Sequence, residues 1–86
     1  MNLPQERLDI LTAAAEGRER EVMHHQINID NYARAIAEIE GAHADDADLG
    51  AFAAQLRELL ASSQREQAKE RIMLKVIREQ LACTSA

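Results

Sequence analysis

Residues that punctuate loops are scarce in this chain: it has one proline, at position 4, and three glycines among 86 residues. Beyond Pro4 nothing therefore forces a helix to break from within. Aromatics are nearly absent, with Phe52, Tyr32 and no tryptophan, while alanine, leucine, isoleucine, glutamate, glutamine and arginine dominate. That is the composition of long helices and not of a sheet protein. An apolar stretch of membrane-spanning length is missing, as is a basic-then-apolar leader, so the expectation is a soluble, cytoplasmic protein with no membrane partner. Cys83 is the one cysteine, three residues from the end, which excludes an internal disulfide framework; a small residue on a fraying last turn is expected, the alternatives being a bridge between two copies or a reactive thiol. An excess of basic residues is lacking too. Fifteen acids against ten lysines and arginines give a formal charge of -5, and the bases are scattered among acids, so no nucleic-acid partner is expected. A Gly-rich phosphate loop, a Ser/His/Asp grouping and paired cysteines are absent as well, which predicts neither catalysis nor a cofactor.

What is present is periodicity. Three-then-four spacing selects Leu8, Leu11, Ala15, Arg18, Val22, His25, Ile29, Tyr32, Ile36 and Ile39, and eight of these ten suit a buried seam. A second heptad pattern runs from Leu49 to Leu81. The fold class expected is all-α: an antiparallel helical hairpin in a single domain over residues 1–86. Its helices are placed at about 3–41 and 46–82, with a turn at 42–45 and a frayed tail at 83–86. Asn2 and Gln5 have capping-box spacing and Pro4 fits a first turn. Gly41 is the expected stop, and Asp45 or Asp46 the cap of the second helix, with Asp48 favourable in its first turn. Helices of roughly 36 residues span about 55 Å.

Folding the chain back about residue 44 makes facing residues sum to about 88. Leu11 then meets Ile77, Ala15 meets Met73 and Leu74, Ile29 meets Leu59 and Leu60, Tyr32 meets Leu56, Ile36 meets Phe52 and Ala53, and Ile39 meets Leu49. The polar seam positions meet polar residues: Arg18 falls opposite Glu70, and His25 opposite Ser63 with Glu66 and Gln67 nearby. Because the second helix has no large apolar residue from Ala61 to Arg71, a polar layer is expected in mid-bundle, fixing register at some cost in stability. His25 is also the side chain in this layer most easily moved across neutral pH.

The outward faces carry two further signals. Glu16 with Arg20, Asp30 with Arg34 and Arg34 with Glu38 have the spacing of intrahelical pairs on a solvated face. Met23 and Ile27, one turn apart, stand among charged neighbours. Asn28, Asp30 and Asn31 are poor helix formers in mid-helix, so helicity did not select them. Met23, His24, Ile27 and Asn31 are therefore the candidate contact for a heterologous protein or for a second copy. Glu21-Val22-Met23-His24 has the Glu-x-x-His spacing of di-metal carboxylate bundles, with Glu66 at the same height. But Glu21 falls on the flank and His24 points away from the seam, so no metal site is expected. Interleaving of acids with bases likewise disfavours an acidic mimic of nucleic acid.

The run His25-Gln-Ile-Asn-Ile-Asp-Asn-Tyr32, followed by an alanine-rich helix, resembles small accessory proteins encoded by phages and prophages. The resemblance implies an origin in a phage or bacterial cytoplasm and a non-enzymatic task, and carries over no site residues.

The second helix has more apolar surface than one seam needs. Beside Leu49, Leu56, Leu60, Leu74 and Ile77 it carries Phe52, Leu59 and Met73 on an adjacent line, with Ile72 and Val76 farther round. Covering that surplus by pairing two hairpins predicts a homodimeric four-helix bundle. The function expected is a protein–protein interaction or structural module, possible tasks being modulation of a host or phage protein. The alternatives are a chaperone-like or adaptor hairpin for a foreign helix and, from another class, a metal-binding bundle.

Overall fold

A computed structural model describes residues 3–84. It contains two helices, α1 (Leu3–Ala42) and α2 (Ala47–Thr84), packed side by side as an antiparallel hairpin, with no strand among the described residues. The molecule is a rod measuring 65 × 15 × 15 Å. That length follows from forty helical residues at 1.5 Å each.

All ten seam residues expected on α1 turn inward, Ala15, Ile36 and Ile39 being buried and the others half-buried. On α2 the inward set is Leu49, Ala53, Leu56, Leu60, Ser63, Gln67, Glu70, Leu74, Ile77 and Leu81, an unbroken alternation of four and three. The seam therefore passes straight through the polar stretch, and the apolar core is split in two. Near the turn, Ile36, Ile39, Ala53 and Leu56 pack together with Tyr32, Ala35, Leu49 and Leu60 around them. Near the open end, Ala15, Leu74 and Ile77 pack with Leu11 and Leu81. Two helices cover each other along one stripe only, and no large side chain among the described residues is completely enclosed.

The connection differs by one residue from expectation. Gly41 does not stop α1; the helix runs to Ala42, and the His43 N–H still donates to the Ile39 carbonyl at 2.8 Å. No described residue adopts positive φ, so the glycine's left-handed freedom is not used. The reversal lies at 43–46, closed by the Asp46 N–H on the His43 carbonyl at 3.1 Å. Asp46 is the cap: its Oδ1 accepts from the Leu49 N–H at 3.0 Å while its carbonyl accepts the first helical bond from Gly50 at 2.9 Å. At the far end the expected fraying over 83–86 is not found at Cys83 and Thr84, which complete α2. Helical bonding to preceding turns continues there because no breaker intervenes. Ser85 and Ala86, and Asn2 of the expected capping box, lie outside the described residues.

Candidate functional site: the polar layer and the two flanks

The polar layer occupies the middle third of the seam. Arg18 donates from Nη1 to both Glu70 oxygens, at 3.1 and 2.9 Å, which is the facing predicted by the fold-back register. Glu70 is the more enclosed partner, with 19% of its side chain exposed against 40% for Arg18. Water reaches the pair, so its contribution stays at about 1 kcal/mol or below. Among the described residues Gln67 is the one buried polar residue, at 8% exposure. Its Nε2 donates at 3.0 Å to the Val22 carbonyl and at 3.0 Å to Gln26 Oε1, tying the side-chain amide to the α1 backbone. Burial of an amide is tolerated because both protons find acceptors.

His25 and Ser63 are half-buried on the seam as expected. The buried Nδ1 of His25 has no hydrogen-bond partner. Glu66 lies outward of the seam and does not bond to the histidine; it accepts from Lys69 Nζ at 2.9 Å. That bond and the lysine charge hold the Glu66 carboxyl below its ordinary range, with smaller lowering effects from the charges of His25 and Arg65. Among the described residues no three His, Cys, Asp or Glu side chains converge into a metal-holding group, Glu21, His24 and Glu66 included. No described helix is long and apolar enough to cross a membrane.

The two long edges of the hairpin differ in chemistry. One edge is crossed by charge. Arg78 donates to Glu19 Oε1 at 3.0 Å, and Arg57 pairs with Glu40. Acids of α1 thus face bases of α2 on positions that border the seam, an arrangement matched by antiparallel pairing. A groove on this edge is lined by Glu19, Val22, Arg71, Leu74, Lys75 and Arg78. These cross-helix pairs were absent from the sequence reading. Their signal was present, since Glu19 and Glu40 each follow a seam residue on α1, as Arg57 and Arg78 do on α2. The ion pairs expected along one outer face, Glu16 with Arg20 and Asp30 with Arg34 and Glu38, are not those that tie the helices.

The other edge is apolar. Phe52, Leu59 and Met73 stand there at seven-residue spacing with 47%, 46% and 41% exposure. The facing scheme had placed each of them against α1 together with its neighbour. The structure takes Ala53, Leu60 and Leu74 inside and leaves Phe52, Leu59 and Met73 out, because one residue along a helix is a rotation of about 100°. Small Ala14 and Ala35 stand on the corresponding edge of α1, and Arg7, donating to Gln80 Oε1 at 3.1 Å, bridges it at the open end.

The candidate partner patch lies on the outer surface of α1. Met23 is 64% and Ile27 50% exposed, with His24 and Asn31 exposed beside them. No family model, curated protein or solved structure matches the chain.

Proposed function

We propose that this chain is a non-enzymatic protein–protein interaction module: a stiff helical hairpin that works by presenting apolar surface to other helices. The carrying observation is the excess of such surface. Among the described residues eight large hydrophobics, Ile10, Met23, Ile27, Phe52, Leu59, Ile72, Met73 and Val76, are exposed, and no large side chain is completely enclosed. Monomers seldom leave so much apolar surface without a partner. Within the layer Gln67 engages Val22 and Gln26, and Arg18 engages Glu70, contacts that join the two helices and suit a register-setting role better than a reactive one.

In this reading the hairpin self-associates as a homodimer, and the outward patch of Met23, His24, Ile27 and Asn31 receives a host or phage protein in a bacterial cytoplasm. The phage setting draws on the His25–Tyr32 resemblance. Affinity capture from the native host, with identification of the captured protein, tests the second contact. M23K/I27K is expected to lose that protein while its circular dichroism stays helical, because both positions are exposed and lysine is a good helix former. Equal capture by both chains would remove the patch from the proposal.

A further inference from the structure

The apolar edge of the hairpin has an order of its own. Along α2 it reads Phe52, Leu59, Glu66, Met73, Gln80, one residue in every seven. Glu66 is central, Leu59 and Met73 lie one heptad to either side, and Phe52 and Gln80 lie two heptads out. Reversed about Glu66, the line puts apolar on apolar at the inner pair. It brings Phe52 against the long side chain of Gln80 at the outer one. Such a line is complementary to itself in antiparallel orientation, the condition for a twofold interface.

Charge has the same symmetry. Glu66 and Lys69 form an ion pair along α2, with N and O 2.9 Å apart. A twofold axis at Glu66 sets the two Glu66 carboxylates at one height and each Lys69 opposite Ser63 of the other copy, so each acid is offset by the lysine of its own chain. The height of Glu66 is also that of the seam's polar layer, where Gln67 and His25 sit. Superposing two hairpins about this point stacks polar layer on polar layer and apolar cluster on apolar cluster.

The chain exposes 6248 Å². A compact monomer of its mass, 9.6 kDa, exposes about 5,100 Å². The excess of about 1,100 Å² exceeds the roughly 800 Å² that each partner buries in a stable interface of standard size. The apolar edge runs along a rod 65 Å long, and the opposite edge is already crossed by Glu19–Arg78 and Glu40–Arg57.

We infer that the Phe52–Leu59–Met73 edge is the seat of a second copy of this chain, α2 lying antiparallel on α2 with the twofold axis at Glu66. The inference rests on the reading of the chain as an interaction module and specifies which surface self-associates, in which direction and with which occupant. Glu66 then limits the strength of association, since it interrupts the stripe at its centre.

Sedimentation equilibrium across the micromolar range, with circular dichroism as the check on folding, tests it. The wild-type chain is expected to dimerise, L59K and M73K to give helical monomers, and E66L to tighten association about tenfold or more by completing the stripe. In a C83A background, mixing L59C with M73C chains should give the mixed disulfide faster than either chain gives a disulfide with itself, because only the antiparallel arrangement brings those positions together. A wild-type chain that stays monomeric overturns the inference, and the module reading then stands or falls on M23K/I27K capture. A dimer that survives both lysine substitutions, or self-disulfides of L59C that outpace the mixed one, also overturns it. Either result leaves a self-associating module with another face or direction.

Discussion

The charged and apolar edges of the hairpin border the same seam, yet they are built for different tasks. On the charged edge, Glu19–Arg78 and Glu40–Arg57 join the helices across exposed positions and specify that α1 and α2 run in opposite directions. On the apolar edge, Phe52, Leu59 and Met73 contribute less to the hairpin itself, since nearly half of each remains in water. The lesson concerns position: a leucine at 60 and a leucine at 59 are chemically identical, but one packs in the core and its neighbour stands at the border. Rotation about the helix axis, not residue type, turns the first into the seam and leaves the second at its border.

The contrast between seam and edge should break most visibly at Leu56, which is buried between the helices. Leu56→Ala is expected to lower stability by about 2–5 kcal/mol in chemical denaturation, from lost transfer energy and the cavity left behind. The corresponding change at exposed Leu59, measured at concentrations where chains are monomeric, should cost much less. Equal losses would show that the edge is part of the core.

Reversing the charged edge with E19K/E40K should cost about 1 kcal/mol at low salt, by replacing two attractions with two repulsions at exposed sites. Molar salt should erase most of the difference, because exposed charges are screened over a few ångströms there. A loss insensitive to salt would assign the effect to packing.

A smaller change tests what approaches the hairpin near its open end. A methyl group added at Gly17 would meet only the Arg20 guanidinium, at 4.0 Å. Gly17→Ala is therefore expected to raise the stability of the hairpin by about 0.5–1 kcal/mol through helix propensity. Destabilisation that grows with protein concentration would instead reveal another helix packed on this position.

The smallest effect concerns the ion pair at the centre of the apolar edge. Lys69 is the main cause of the lowered Glu66 carboxyl, so K69Q should move that group up toward the ordinary carboxylate range, as read by a nuclear magnetic resonance titration of the side chain. Because the folded value is depressed, the pair's contribution is present above the ordinary range and disappears as pH falls through the folded value. No movement in K69Q would assign the lowering to His25 or Arg65.

The heptads made both helices and their antiparallel return legible, because seven-residue spacing leaves a long chain one way to bury its leucines and isoleucines. The fold-back also brought Arg18 to Glu70, since two rigid rods joined by a short turn keep one register along their whole length. Sequence spacing alone did not select Asp46 over Asp45 as cap, did not extend α1 through Gly41, and did not find Gln26 as the acceptor for Gln67. Each depends on differences of an ångström or a few tens of degrees, which residue type does not encode. The heptads also set Phe52, Leu59 and Met73 on a line beside the seam, while how much of each stays in water is settled by the packing of α1 against α2.

By itself, then, the sequence determined the helical class, the seam and the height of the polar layer, all of which follow from periodicity and from the absence of breakers. The tertiary structure decided how the seam's polar groups share their bonds, leaving Gln67 satisfied and His25 Nδ1 without a partner. It also decided that one edge is closed by ion pairs while the other stays open. Those outcomes belong to the pairing of the two helices, because a side chain's burial and partners are set by what lies across the interface, and no single helix contains that information.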